Sequence, residues 1–172
     1  MKRCFVAVCL VVVLCSAVVS ASAQSPADPR VGVWKLNLAK SKFSPGPAPQ
    51  SNVWRFENRP DGFTVLTISG TNAQGEPTFT HCVLKYDEKD YPLYGVPSVT
   101  ALQISGTKLG TMSHKIVDPY TMIATPKNSQ GVAGNPTTVA VSRDGKTLTQ
   151  TSKGKNAQGQ LFENIAVWDR VK

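Results

Sequence analysis

Short β-prone runs and turn residues alternate along most of the sequence. No stretch of helical length repeats its apolar residues at helical spacing, whereas apolar and polar residues often alternate with a period of two. The pattern predicts ten strands, at 31–38, 52–58, 63–69, 77–86, 98–105, 109–117, 120–126, 136–142, 146–153 and 160–170. Their even spacing predicts an all-β fold, either a sandwich or a barrel.

The connections between these strands are mostly short. Asp61-Gly62 and Asp144-Gly145 predict tight hairpins, and strands joined in this way form an antiparallel meander. Irregular backbone is predicted at 87–97, at 127–136 and in the Pro-rich connection 39–50, which we expect to form an ordered loop or lid. The G-x-N-A-Q-G motif occurs at 70–75 and again at 154–159. Gly and Asn supply the backbone conformations that hairpin loops need, so we interpret the repeat as two similar hairpin loops and not as a paired binding site.

The period-two alternation predicts which side chains face the interior. The inward set is Trp34, Leu36, Leu38, Trp54, Phe56, Leu66, Ile68, Cys82, Leu84, Tyr86, Leu102, Ile104, Met112, His114, Ile116, Phe162, Asn164, Ala166, Trp168 and Arg170. The last strand also carries Leu161, Ile165 and Val167 on its other face, so we expect that strand to be covered on both sides.

Residues 1–23 have the pattern of a cleaved secretory signal peptide. Lys2 and Arg3 precede an apolar run, and Ala21-Ser22-Ala23 forms an A-x-A cleavage site. The run is shorter than a bilayer span. We therefore expect a periplasmic or secreted protein with no stable membrane span after cleavage, and a single domain at 24–172. Cys82 is then the one remaining cysteine, so no intrachain disulfide is expected.

The charge of the chain is moderately positive. Without the predicted signal peptide, 17 basic and 11 acidic residues leave a net charge of +6. The basic residues are spread along the chain, and no run of Arg and Lys interleaved with aromatic residues occurs. This distribution fits weak attraction to anionic surfaces or ligands, and it predicts no nucleic-acid partner.

Candidate chemistry is sparse. The sequence contains no G-x-S-x-G, H-E-x-x-H or P-loop motif, and its carboxylates show no paired spacing. His81 is predicted to face outward, whereas His114, between Met112 and Ile116, is predicted to face inward. We therefore predict no catalytic residue, no metal site and no cofactor. Enzymatic activity stays an alternative, but the sequence favours a protein without it.

Gly32-Val33-Trp34, at the start of the first strand, resembles the G-x-W motif of the lipocalin and fatty-acid-binding (calycin) barrels. The resemblance implies that a basic residue of the last strand lies over the tryptophan, and Arg170 stands at the matching position. Residues 28–49, 144–149 and 154–159 also resemble a family of secreted bacterial proteins of uncharacterised function. The expected fold is a single lipocalin-like up-and-down barrel of about 8–10 strands.

The leading hypothesis is a barrel that binds an apolar or amphipathic small molecule, because barrel mouths often form such sites. The predicted ligand-binding residues are Trp54, Phe56, Tyr86, Met112, His114 and Gln150. The 39–50 loop and the Tyr91–Tyr94 stretch are expected to gate the mouth, and we expect a monomer. The alternative is a non-enzymatic cell-envelope module that contacts protein or polysaccharide through Tyr91, Tyr94, Tyr120 and scattered lysines.

Overall fold

The computed structural model describes residues 27–96, 107–156 and 159–171. Its strands are β1 Gly32–Leu36, β2 Ser51–Asn58, β3 Thr64–Thr71, β4 Pro77–Leu84, β5 Tyr91–Val96, β6 Thr107–Asp118, β7 Thr121–Asn128, β8 Thr137–Val141, β9 Thr147–Lys155 and β10 Leu161–Arg170. Each strand pairs antiparallel with the next one in sequence, and β1 pairs with β10 to close the barrel. The predicted all-β, up-and-down barrel is confirmed. The predicted signal peptide and the predicted strand 98–105 lie outside the described residues.

One strand lies where the sequence predicted irregular backbone. β5 occupies Tyr91–Val96, within the stretch 87–97. Its Leu93 pairs with Cys82 of β4 and with Gly110 of β6, and the register with β6 shifts after Leu93. Pro92 is tolerated because it is the second residue of the strand, and its missing N–H removes only one hydrogen-bond donor from the strand pairing. The β-prone residues around it determine the local structure.

The two ends of the barrel differ. At one end, here called the Arg30 end, lie the segment 27–31 and the turns 59–63, 119–120 and 142–146. At the other, here called the loop end, lie the connections 37–50, 72–76 and 129–136. The Arg30 end is tied together by Arg170 of β10. Its guanidinium donates to the carbonyl oxygens of Val31 (2.7 Å), Pro29 (2.6 Å) and Gly145.

Most of the barrel interior is filled by side chains. The buried cluster consists of Trp34, Trp54, Phe56, Leu66, Cys82, Leu84, Met122, Val139, Val141, Leu148, Ala166 and Trp168. Two predicted inward residues are instead exposed. Leu38 is 44% exposed because β1 ends at Leu36 and the chain enters a short 3-10 turn. Ile116 is 36% exposed, next to a shift in register between β6 and β7.

The Pro-rich connection is ordered along part of its length, as predicted. The backbones of Lys42 and Ile165 exchange two hydrogen bonds (2.7 and 2.8 Å), and the Glu163 amide donates to the Ser44 carbonyl oxygen (2.9 Å). The connection therefore continues along β10 after β1 has ended. On the outer side of β10, Val167 is buried but Leu161 is 76% exposed. The predicted covering of both faces therefore holds for the C-terminal part of the strand and not for its start.

Matching loops recur at the loop end. In each one an Asn side-chain oxygen accepts backbone N–H groups from residues further along the loop: Asn72 from Gln74 and Glu76, Asn128 from Gln130 and Val132, and Asn156 from Gln160. A glycine with a left-handed backbone closes each loop, at Gly75, Gly131 and Gly159. The prediction of matching hairpin loops is confirmed, and the loop at Asn128 shares the geometry without sharing the full motif.

Candidate functional site

An interior cavity of about 80 Å³ remains within the filled barrel. It is lined by Trp54, Leu66, Ile68, Met112, His114, Met122, Ala124, Pro126, Thr137, Val139 and Gln150. Among the described residues that line it, none carries an ionised side chain at neutral pH. The walls come from β2, β3, β6, β7, β8 and β9, so the cavity depends on the closed barrel and not on any one hairpin.

A second cavity of about 190 Å³ adjoins the first towards the loop end, and the two share Trp54, Ile68 and Gln150. Phe43 and Pro49 of the 37–50 connection also line this second cavity. Its remaining lining residues are Leu36, Asn52, Ala166 and Trp168. The inner cavity is therefore continued, towards the Pro-rich connection, by a second cavity that is open to solvent.

His114 is the most deeply buried polar group on the cavity wall, with 1% of its surface exposed. Neither ring nitrogen has a hydrogen-bond partner within the part of the chain that the structure describes. Burial, and secondarily the positive charge of Arg30, lowers the pKa of His114 to about 4. Near neutral pH the ring is therefore uncharged and offers one N–H donor and one acceptor nitrogen.

Gln150 adds a second polar group to the same space. It lies on β9 between Val139 of β8 and Ala166 of β10, and it lines both cavities. Its side chain makes no hydrogen bond with the described residues. The polar side chains nearby bond to one another instead: Thr137 to Ser152 and Trp168 to Asn52. Its amide can donate and accept, so the two polar side chains on an otherwise largely apolar wall both have unused hydrogen-bonding capacity.

A stack of polar side chains fills the Arg30 end behind His114. Buried Arg30 forms an ion pair with Asp28, Nε to Oδ1 2.9 Å, and its guanidinium lies 4.9 Å from the centre of the Tyr86 ring. The Tyr86 ring meets that of His114 edge-on, with centroids 6.2 Å apart. Burial, and then the negative charge of Asp28, raises the pKa of Tyr86. Thr64 and Arg30 oppose that shift, but neither forms a well-aligned hydrogen bond with the hydroxyl.

Four of the six predicted ligand-binding residues line the same interior cavity: Trp54, Met112, His114 and Gln150. Tyr86 lies beyond His114, where it lines a surface groove of about 590 Å³ at the Arg30 end. Phe56 is packed in the core, with its ring 5.9 Å from that of Trp54, and lines neither interior cavity.

The two segments expected to gate the mouth lie in different places. The Pro-rich connection contributes Phe43 and Pro49 to the cavity at the loop end. The Tyr91–Tyr94 stretch is part of strand β5, with the Tyr91 hydroxyl bonded to Asp87 at the Arg30 end. Tyr94 projects outward and is exposed. The Tyr91–Tyr94 stretch is therefore part of the barrel wall, and the expectation that it gates the mouth of the barrel is wrong.

Sequence reasoning missed the Asp28–Arg30 pair and several wall residues. The pair precedes the first strand, so no alternation of polar and apolar residues indicates whether its side chains point into the barrel. Pro126 and Thr137 lie on strands for which the inward face was not assigned, although Met122 and Val139 on those strands are strongly buried. Alternation around those two residues is the signal that could have found them.

The aromatic residues of the alternative interaction surface are only partly available. Tyr94 is exposed, whereas Tyr91 and Tyr120 pack against the core cluster. The guanidinium of Arg143 also lies 4.2 Å from the centre of the Tyr120 ring. Phe79, on the strand next to Tyr94, is the other large exposed aromatic side chain among the described residues.

Within 27–96, 107–156 and 159–171, no group of three or more His, Cys, Asp and Glu side chains is arranged to hold a metal ion. A search of the same residues finds no helix long and apolar enough to cross a membrane. No family model matches the sequence. No curated protein is significantly similar to it.

Proposed function

We propose that this protein binds a small apolar or amphipathic molecule inside its barrel, beneath the Pro-rich connection. The observation that carries the proposal is the inner cavity with its largely apolar wall, which adjoins a second, more open cavity. The wall of the inner cavity includes His114, whose buried ring nitrogens have no hydrogen-bond partner among the described residues. An empty space of this kind costs stability, because lining atoms lose dispersion contacts and a polar group goes unsatisfied. A ligand that fills the space and bonds to His114 recovers both.

The size of the cavities limits the ligand. Sites for drug-sized molecules usually occupy about 300–1,000 Å³, whereas a dry cavity of about 150 Å³ can hold benzene. Both cavities are smaller than a site for a drug-sized molecule. The inner one, about 80 Å³, is also smaller than the benzene cavity, and the outer one, about 190 Å³, is slightly larger than it. The proposed ligand is therefore a compact molecule, or one end of a longer molecule whose remainder leaves beneath Phe43 and Pro49.

Location and relationship are part of the same proposal. The signal-peptide pattern supports a protein that acts in the periplasm or outside the cell. The closed antiparallel barrel, together with Arg170 lying 4.0 Å from the centre of the Trp34 ring, supports a lipocalin-like relationship. A barrel of lipocalin size can hold one small ligand in its interior.

The test uses n-hexanol as the probe and calorimetry as the readout. Burial of its methylene groups predicts a dissociation constant on the order of 0.1–1 mM. Ala124 is a buried wall residue, so Ala124→Leu adds carbon atoms directly to the cavity and should abolish binding. Thr125→Leu adds apolar bulk one residue away on the opposite face of β7 and should leave binding unchanged. Absence of binding to the unmodified protein, or equal binding by Ala124→Leu, overturns the proposal.

A cell-envelope interaction module is the second candidate function. Its support is the exposed pair Phe79 and Tyr94 on adjacent strands. Under this alternative, the double change Phe79→Ser and Tyr94→Ser removes binding to an envelope component while n-hexanol has no effect on the protein. Binding of n-hexanol with normal affinity by that double variant favours the carrier.

A further inference from the structure

We infer that the ligand of the interior cavity is a neutral molecule with one hydrogen-bonding group, such as an alcohol or an amide, and not a carboxylate or another anion. This inference rests on the proposed function, because it concerns the occupant of the same cavity. It is carried by the charge and hydrogen-bonding character of the wall.

The wall offers no counter-charge to an anion. None of the described lining residues of the two cavities is Lys or Arg. The nearest described cation behind His114 is Arg30, which lines neither cavity, is paired with Asp28 and lies over the Tyr86 ring. A carboxylate taken into this space loses its hydration without gaining an ion pair, which is strongly unfavourable.

His114 does not provide the missing charge either. It is fully enclosed, and its surroundings hold the ring in the neutral form near neutral pH. A neutral imidazole presents a donor and an acceptor, and the amide of Gln150 presents both as well. A hydroxyl or amide group can donate to one and accept from the other. A carboxylate can accept from the N–H groups of His114 and Gln150, but it cannot donate to their acceptor atoms, and its buried charge has no counter-charge on the wall.

The shape of the space assigns the two parts of the ligand. His114 and Gln150 both line the inner cavity, whereas the outer cavity adds Leu36, Phe43 and Pro49. The polar group therefore lies deep in the barrel, and the apolar part extends towards the loop end. This orientation places the only polar group of the ligand where water is excluded and hydrogen bonds are strongest.

The test compares n-hexanol with n-hexanoate by calorimetry near neutral pH, since the two probes share their carbon chain and differ in the headgroup. We expect n-hexanol to bind at least about tenfold more tightly, which corresponds to about 1.4 kcal/mol or more. Binding of n-hexanoate as tightly as n-hexanol overturns the inference and leaves the proposed function standing. Failure of both probes to bind overturns the proposed function itself.

Variants test the two polar groups separately. His114→Phe keeps a ring of similar size without nitrogen atoms, and we expect n-hexanol to bind about fivefold to tenfold more weakly. Gln150→Met offers the same test without changing the buried ring. His81→Phe is the matched control, because His81 lies on the outer face of β4 opposite Cys82. Unchanged n-hexanol affinity in both His114→Phe and Gln150→Met contradicts the inferred hydrogen bonds.

Discussion

The Tyr86 ring stands edge-on to the imidazole of His114, with 6.2 Å between the ring centroids, and the guanidinium of Arg30 lies 4.9 Å from the centre of the same Tyr86 ring. The three side chains run from the Arg30 end of the barrel to the wall of the interior cavity. The arrangement buries a histidine near the positive charge of Arg30, and both of its ring nitrogens lack a hydrogen-bond partner among the residues that the structure describes.

We predict that His114 makes the protein less stable at acidic pH. Its pKa is about 4 in the folded state, against 6.5 for an unperturbed histidine. Above 6.5 the ring is neutral in both states and has no effect. As the pH falls from 6.5 to about 4, His114 is protonated in the unfolded chain but stays largely neutral in the folded one. The unfolding free energy therefore falls by roughly 3 kcal/mol.

Urea denaturation of the wild type and of His114→Phe, near neutral pH and near pH 4, measures this effect. Other titrating groups act in both proteins, so the difference between their pH dependences isolates His114. The wild type should lose roughly 3 kcal/mol more than the variant. Parallel pH profiles for the two proteins would show that His114 is not buried as described.

A second prediction concerns closure of the barrel by Arg170. Its guanidinium lies 4.0 Å from the centre of the Trp34 ring and donates to three backbone carbonyl groups. Arg170→Lys keeps the charge but cannot form this planar set of bonds. We expect it to lower the unfolding free energy by about 2–4 kcal/mol in urea denaturation.

Arg55→Lys is the matched control for that variant. Arg55 is exposed and forms a long ion pair with Glu57, 3.9 Å between nitrogen and oxygen. Exposed pairs of this kind contribute about 0–1 kcal/mol, so the control should unfold almost as the wild type does. A loss at Arg170 no larger than that at Arg55 would contradict the closing role of Arg170.

A third prediction concerns the thiol of Cys82, which is completely buried in the core cluster. Burial raises the pKa of this thiol to about 11, so it is protonated near neutral pH and shielded from solvent. We expect iodoacetamide to leave Cys82 unmodified in the folded protein and to alkylate it readily in urea. Mass spectrometry measures the modification, and rapid alkylation without denaturant would place Cys82 outside the core.

Local signals explain how much of the fold could be predicted from the sequence. Asp61-Gly62 and Asp144-Gly145 form turns in which both glycines have a left-handed backbone. Alternation correctly placed His114 inside, because successive strand residues point to opposite faces. β5 was missed because Pro92 usually argues against a strand, and one lost donor proved tolerable within a barrel that supplies partners on both sides.

The candidate site was less predictable for a geometric reason. Alternation separates inward from outward residues, but it does not give their height along the barrel axis or the volume left between them. Phe56 and Trp54 face the same way, yet Phe56 fills the core while Trp54 lines the cavity. The role of Arg30 depends on a contact with Tyr86, which is distant in sequence, and no local pattern signals such a contact.

The methionines allow the most direct test of an occupied interior. Met112 and Met122 both line the inner cavity, and the third methionine of the chain is Met1. In protein labelled with ¹³C at the methionine methyl groups, we predict that n-hexanol shifts the Met112 and Met122 resonances with one saturable dissociation constant. Resonances of Met112 and Met122 that stay in place at saturating n-hexanol would contradict binding inside the barrel.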